Sequence, residues 1–191
     1  PSSGRRRAAC RLARVRPLPS RSLNTTPLSQ AGTLTNAGSI ASANSLTLNA
    51  SAVNNSGTLQ AQQQLNVQAS LNNQSGAALL ANNITVSAGA GSIVNSGTVS
   101  AANSLQLGAG NIQNNQLLYA GNSAALNAAS VTNNGNVSAN NLSVSGFSLL
   151  QNSGRIESAT ASYSGTTLQN AGGELVNAGS AANSLQLNVA E

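Results

Sequence analysis

The sequence predicts an all-β protein built as a parallel β-helix, a solenoid of about eight coils, and three observations lead to that fold. Residues 31–191 repeat with a period of ~19 residues. Within each unit, apolar and polar residues alternate over short stretches, and Asn, Gly, Ser and Gln separate these stretches. A fixed period of roughly 20 residues is typical of a solenoid, in which each unit buries its apolar face only against its neighbours.

The repeat sets the number and length of the coils. It is clearest in residues 93–101, IVNSGTVSA, which are followed by Leu105, Gln106 and Leu107. Equivalent phrases recur at spacings of 19, 18, 22, 19, 19, 19 and 18 residues. At ~4.8 Å between stacked strands, eight coils would form a rod roughly 35–40 Å long. The units begin at Leu34, Val53, Leu71, Ile93, Ile112, Val131, Leu150 and Leu168.

Each unit has room for two or three short strands. In the second unit Val53 opens the coil, Leu59 alternates with Ala61, and Leu65 alternates with Val67. Alternation at period two over so short a stretch predicts a strand and not a helix. The intervening Asn, Gly and Ser residues favour tight turns, so the unit is expected to form one coil.

A sandwich or barrel of hairpins is the competing fold. It would require strands of varied length and a core with large aromatic side chains, whereas this period is regular and the aromatic residues are only Tyr119, Phe147 and Tyr163. A narrow interior of Leu, Ile, Val and Ala, stacked like on like, favours the β-helix. We expect Leu105 to point inward, so Leu105→Asp would bury an unpaired charge and disrupt its coil.

Asn recurs at one point of the unit, and two structural interpretations are open. The residue would either occupy a turn in the left-handed conformation, or stack its amide on those of neighbouring coils to form a hydrogen-bonded ladder. Neither interpretation makes Asn a catalytic group. The recurring residues are Asn36, Asn55, Asn95, Asn114, Asn133, Asn152 and Asn170.

Three units deviate from the common pattern. The unit that begins at Leu71 is three residues longer than the commonest length. Another contains an extra apolar run at residues 147–150, and the last is interrupted at residues 172–177 before Leu185 and Leu187. Insertions in a solenoid fall in surface turns. They would form either a binding bump or loops of tolerated length.

Charge divides the chain into an arm, residues 1–30, and a repeat domain, residues 31–191. Seven of the eight Arg residues lie within the first 21 positions, and the chain has no Lys and no Asp. The arm contains all four Pro residues of the chain and no repeat, so we expect it to be disordered. The repeat domain has a formal charge of −2, which comes from Arg155, Glu157, Glu174 and Glu191.

The role of the Arg-rich arm is open. It could tether the chain to nucleic acid or an anionic membrane, act as an organelle transit peptide, or be an unrelated leader at a fragment boundary. It lacks an apolar core of signal-peptide length, so no export signal is expected in this sequence. The nearly neutral repeat domain has a weak field, and no specific nucleic-acid partner is expected for it. Cys10 has no second Cys to pair with and no His to activate it.

The residue types argue against an enzyme. Without His, Asp or Lys, the Ser–His–Asp and Cys–His arrangements are impossible, and clustered metal ligands are lacking. Glu157 and Glu174 are about one repeat apart and could form a glycosidase pair. However, Arg155 lies two residues from Glu157 on the same strand face, which favours a surface ion pair. We therefore predict no catalytic, cofactor-binding or metal-binding residues and no cofactor.

Several phrases carry a family resemblance. They are VNNSGTLQA at residues 53–61, LNV at 65–67, LQNSGRI at 150–156 and LQNAGG at 168–173. They resemble the repeats of filamentous haemagglutinin and related exoproteins of bacterial two-partner secretion, including contact-dependent inhibition toxins. The resemblance covers residues 31–191. It implies a right-handed parallel β-helix that is exported through an outer-membrane transporter and is found outside the cell or at the bacterial surface.

The resemblance also implies a function. We expect a structural and adhesive shaft segment that mediates attachment to a receptor or glycan on a host or neighbouring cell. The alternative is a non-binding stalk segment of a contact-dependent growth inhibition toxin. Residues 1–30 do not resemble the family's secretion domain and no effector domain follows Glu191, so a shaft fragment is expected. Unpaired strand edges at both ends of the rod would also favour end-to-end self-association.

Overall fold

The computed structural model describes residues 26–179 and 184–190, and within these ranges the chain is all β. The predicted parallel β-helix is confirmed, because every strand pairing is parallel and coils of the predicted length stack on one another. The strands of these ranges are β1 (Thr26–Ser29), β2 (Thr33–Asn36), β3 (Ser39–Ser42), β4 (Ser45–Asn55), β5 (Thr58–Ala61), β6 (Gln64–Asn73), β7 (Ala78–Ser87), β8 (Ser92–Asn95), β9 (Thr98–Asn114), β10 (Leu117–Asn133), β11 (Asn136–Asn152), β12 (Arg155–Gln169), β13 (Glu174–Asn177) and β14 (Leu185–Val189).

The register confirms the alignment of the repeats. Each apolar residue that opens a unit pairs with the opening residue of the next unit, including across the long third unit. The stack in coil order is Leu34, Val53, Leu71, Ile93, Ile112, Val131, Leu150 and Leu168.

Each coil contributes three strand segments, and we name the three stacks faces A, B and C. In the coil that begins at Ile112, face A is residues 111–114, face B is residues 117–120 and face C is residues 123–128. Strands β9, β10 and β11 each run through successive faces for 17 residues. The interior therefore lies between three walls of short parallel segments.

The core is a set of columns that run along the rod. Alternate residues of each face point inward, as in the iBeB pattern of buried and exposed residues at the start of β10. Leu105 is 0% exposed and is stacked between Ile84 and Ala124. The prediction that Leu105 points inward is confirmed. Because each column holds residues of similar kind, one coil covers the apolar surface of the next.

The recurring Asn residues form a buried ladder, as the second interpretation of the pattern predicted. Each donates its side-chain Nδ2 to the Oδ1 of the Asn in the following coil at 2.7–2.9 Å. Asn73, which the recurring set leaves out, occupies the same place in the third coil. All but Asn170 are buried and end strands on face A, so they do not lie in the turns themselves. Asn170 follows β12 and is exposed. The ladder comprises Asn36, Asn55, Asn73, Asn95, Asn114, Asn133, Asn152 and Asn170.

Backbone contacts fix the direction of this ladder. The Asn114 Nδ2 also donates to the carbonyl oxygens of Gln116, at 3.4 Å, and Asn136, at 3.1 Å. The Asn114 Oδ1 accepts the backbone N–H of Gln116 at 3.4 Å. If the oxygen and nitrogen of the Asn114 amide were exchanged, its oxygen would face two carbonyl oxygens and could form neither hydrogen bond. The Nδ2 donors of the ladder therefore all point toward the carboxyl-terminal end of the rod.

The irregular units are accommodated in two ways. In the third unit the additional residues lie in turns, which are closed by hydrogen bonds from Ala77 N to Gln74 O at 3.0 Å and from Gly91 N to Ala88 O at 2.9 Å. The predicted location of insertions in surface turns is confirmed there. The extra apolar run is different: Phe147 is buried at a register shift, and its ring covers residue 165 of the next coil.

Both ends of the repeat domain carry short strands. Strand β1 falls within the segment assigned to the arm and pairs with β4, so strand pairing begins before residue 31. The rest of the arm, including Cys10 and the seven Arg residues, lies outside the described residues, as does Glu191. At the other end, β13 stacks on face B and β14 on face C of the preceding coil. The predicted interruption at residues 172–177 is therefore wrong, because residues 174–177 form a regular face-B strand in register with the coil before.

Candidate binding groove

The charged residues of the described chain form one surface cluster on face B. The Arg155 guanidinium makes ion pairs with Glu157, at 3.2 Å, and with Glu174 of the next coil. In the register Glu174 stacks on Arg155, whereas Glu157 stacks on Val176. The ion pair predicted from the sequence is therefore present, and Arg155 bridges the two carboxylates that could have formed a glycosidase pair.

The electrostatic effect of this cluster is local. Hydrogen bonds to Glu174 and then to Glu157 raise the pKa of Arg155, which therefore remains charged. All three side chains are at least 42% exposed, so solvent screens the pairs. Within the described ranges, no three His, Cys, Asp or Glu side chains lie close enough to hold a metal ion.

A shallow groove runs along the outside of face B and the turn that follows it, and we name it the axial groove. It consists of two open depressions of about 620 and 210 Å³, and Tyr119 lines both of them. At its floor lie the last residues of face B in five of the coils, all of them small: Ala61, Ala81, Ala120, Ala139 and Ser158. All but Ala81 are at most 7% exposed, so the floor is shallow and closely packed.

The two walls of the axial groove come from different parts of the coil. One wall is the following turn, which begins with small or amide residues such as Ala102, Gly121 and Asn140. A Cβ on Gly121 would overlap the carbonyl oxygen of Ala102, so only Gly allows the turn to lie this close to the preceding coil. The other wall is the outward row of face B, namely Gln60, Leu80, Ser100, Tyr119, Ser138 and Glu157.

Tyr119 is the exposed aromatic residue of the described chain. Its side chain is 40% exposed, whereas Phe147 and Tyr163 are each 2% exposed. The ring stands in the middle of the axial groove, with its hydroxyl over the turn at Gly121. The exposed ring itself provides a flat apolar surface within polar surroundings.

The wider depression is lined by amides that are free to bind a ligand. The side chains of Gln60, Gln62, Gln63 and Asn82 make no hydrogen bond to any other described residue. Each amide offers two donor hydrogens and an acceptor oxygen. Together with Tyr119, they give the axial groove hydrogen-bonding groups of both kinds without a net charge.

An exposed ladder forms the rim of the axial groove, one residue beyond the wall. Asn103 donates to Asn83 at 2.9 Å, Asn122 to Asn103 at 3.4 Å and Asn141 to Asn122 at 3.3 Å. Thr160 continues the series by donating to Asn141 at 2.6 Å. These donors point toward the amino-terminal end of the rod, opposite to those of the buried ladder. The rim thus carries ordered amides in the third to sixth coils.

The sequence did not identify the axial groove, for which no site residue was predicted. The available signal was small: Tyr119 occupies an outward position that Ser occupies in the neighbouring coils, at Ser100 and Ser138. Comparison of the chain with protein-family models, with curated proteins and with solved structures gave no match. None of the described residues belongs to a helix long and apolar enough to cross a membrane.

Proposed function

We propose that this chain is a structural and adhesive segment of the shaft of a haemagglutinin-like bacterial exoprotein. The observation that carries the proposal is a parallel β-solenoid with an outer surface that is almost entirely uncharged and polar. In the described residues the charged side chains are Arg155, Glu157 and Glu174, and they are paired with one another. Such a rod adds length with each coil and presents amides and hydroxyls along it.

The shape and surface of the rod support an adhesive role. Each coil depends only on its neighbours, so a shaft of this kind can be long without a globular core. Because its surface lacks clusters of one charge, it does not attract partners over long distances. Binding must then come from short-range contacts, which the exposed amides and Tyr119 can make.

The proposal includes a non-catalytic role and a location outside the cell. The absence of His, Asp and Lys from the sequence supports the first part. The resemblance of the repeats to exported shafts supports the second, together with export through an outer-membrane transporter of the two-partner type. Recognition by that transporter would require a secretion domain that residues 1–191 do not resemble.

The first experiment measures the size and location of the native product. An antiserum against residues 31–191 is used on cell, surface and medium fractions of the source bacterium. A very large surface or secreted band is expected, because a shaft segment belongs to a larger exoprotein. A band of the chain's own mass that is confined to the cytoplasm would overturn the proposal.

A second experiment separates an adhesive shaft from a stalk that supplies only length. The full chain is labelled, incubated with host cells and with neighbouring bacteria, and washed at increasing ionic strength. We expect saturable retention that resists salt, because the surface of the repeat domain is nearly neutral, whereas binding through the Arg-rich arm would be lost as the ionic strength rises. No retention on any cell would favour the non-binding stalk of a contact-dependent growth inhibition toxin.

A further inference from the structure

We propose that the axial groove binds a neutral, linear polysaccharide that lies along the rod with one sugar ring against Tyr119. The inference rests on the proposed adhesive function and names the chemical class of the ligand.

The shape of the groove calls for a long ligand. Its lining residues extend from Gln60 in the second coil to Ala178 in the last. Six coil spacings of ~4.8 Å separate these coils, so the groove is roughly 29 Å long. An extended sugar chain advances by roughly one such spacing per ring, and several rings can therefore contact successive coils.

The charge of the groove selects a neutral ligand. Glu157 is the charged residue of its lining, and this carboxylate is paired with Arg155. A sulfated or uronic acid chain would find no unpaired cation here. An amine-bearing chain would compete with Arg155 for one exposed carboxylate. The hydroxyl groups of a neutral chain need neither an unpaired cation nor a free carboxylate, and the amides of the lining can bind them.

The side chains of the groove match the two sides of a sugar. The free amides of Gln60, Gln62, Gln63 and Asn82 can both donate to and accept from hydroxyl groups. The exposed ring of Tyr119 can cover the face of a pyranose that carries C–H groups. Binding sites for small ligands combine such an apolar surface with a few polar groups that fix orientation.

A peptide is the less suitable occupant. The strands of face B cross the groove, and their backbone N–H and C=O groups are used in pairing between coils, as from Leu117–Ala120 to both neighbours. An extended peptide lying along the groove therefore has no strand edge to pair with. It would also need deep apolar pockets, and the floor here is a flat row of small residues.

The test measures binding of the full chain to defined sugars by calorimetry. The probes are cellohexaose, laminarihexaose, xylohexaose and mannohexaose, with a heparin hexasaccharide as the charged comparison. We expect at least one neutral probe to bind through the groove. The heparin probe can bind the seven Arg residues of the arm, so any heparin binding should be the same for wild type and Tyr119→Ala. Tyr119→Ala should weaken binding about tenfold, a loss of ~1.4 kcal/mol, whereas Tyr119→Phe should retain it because the ring remains. Ala102→Trp, which fills the groove without removing a contact group, should abolish binding.

The control is Gln106→Ala, which alters an exposed amide on face C, outside the groove. It should bind as the wild type does, and all variants should show the same thermal unfolding. The inference is overturned if no neutral probe binds, or if Tyr119→Ala and Ala102→Trp bind as the control does.

Cell retention distinguishes failure of this inference from failure of the adhesive function. If Tyr119→Ala is retained on cells as well as wild type, the adhesive function stands and the groove is not its site. Loss of retention after periodate oxidation of the cell-surface sugars supports the inference. Retention that survives periodate but is lost after protease treatment points to a protein receptor and overturns it.

Discussion

Removing one amide from the middle of the buried ladder should destabilise the rod well beyond its local neighbourhood. Asn114 is 1% exposed, accepts from Asn95 at 2.9 Å and donates to Asn133 at 2.8 Å. It also donates to the carbonyl oxygens of Gln116 and Asn136. Asn114→Ala therefore breaks the ladder in the fifth of eight coils and leaves a space that other side chains cannot fill with hydrogen-bonding groups.

The magnitude follows from which partners are left unsatisfied. The Asn95 Nδ2 keeps a second acceptor, the Leu117 carbonyl at 3.0 Å. The Asn133 Oδ1 loses the donor that it has in the ladder. A buried polar atom without a partner costs about 1–3 kcal/mol, and the lost hydrogen bonds add ~1 kcal/mol. We expect Asn114→Ala to lower the free energy of unfolding by about 2–4 kcal/mol, measured by urea unfolding of the full chain with far-ultraviolet circular dichroism.

The neighbouring residue provides a matched control. Asn115 is exposed, and its ladder bonds to Ser96 at 3.2 Å and from Asn134 at 3.0 Å can be replaced by water. Asn115→Ala should change the free energy of unfolding by no more than ~0.5 kcal/mol. If Asn114→Ala and Asn115→Ala unfold at the same urea concentration, the buried ladder does not stabilise the rod and the reasoning is refuted.

Three further predictions concern single side chains. Ser158→Ala should raise the free energy of unfolding by about 1 kcal/mol, because the buried Ser158 hydroxyl has no hydrogen-bond partner and Ala occupies this column in the preceding coil, at Ala139; a loss of stability in urea would contradict this. Burial raises the pKa of Tyr163 to about 12, so stability is retained below pH ~10 and lost as the pH rises through the folded pKa. Tyr163→Phe should remove about 2–3 kcal/mol of that alkaline loss, and an unchanged pH profile of unfolding would exclude Tyr163 as its source. Leu187, 59% exposed on β14, should promote end-to-end association; Leu187→Lys should then reduce the larger species in sedimentation velocity, and a wild-type chain that is already monomeric would refute the idea.

Much of the fold could be predicted because each unit repeats the same pattern of apolar and polar residues. The stacking of the residues that open each unit, such as Leu34 on Val53, follows from the alignment of the repeats alone, since like residues stack on like. The same alignment offered the buried ladder as one of two interpretations of the recurring Asn residues. Phe147 did not, because a register shift between Ser145 and Phe147 turns its ring into the core out of the period-two order. Residue 165 must be Gly to receive that ring, and this pairing is visible only across coils.

The axial groove escaped prediction for a related reason. Its shape requires short side chains in the adjacent turn, at Ala102 and Gly121, beside the larger outward side chain of Tyr119. Within its own unit, each of these residues fits the common repeat pattern. The sequence also does not show which of the two outward rows of residues lies beside a turn. A surface feature made by many coils depends on side chains that are short in consecutive coils, and its position depends on the geometry of the corner.

The direction of the buried ladder determines how rods could join. At the amino-terminal end, Asn36 is 5% exposed, and its Oδ1 accepts the Gly38 N–H at 3.3 Å and has a second lone pair for another donor. At the other end, the Asn170 Nδ2 donates to the Gly173 carbonyl at 3.1 Å and retains a second hydrogen. A second copy can extend the ladder only head to tail, because two like ends would place donor against donor or acceptor against acceptor. Head-to-tail contacts do not close on themselves, so association should yield a series of increasing sizes in sedimentation velocity, whereas a discrete dimer would show that the ladder does not direct it.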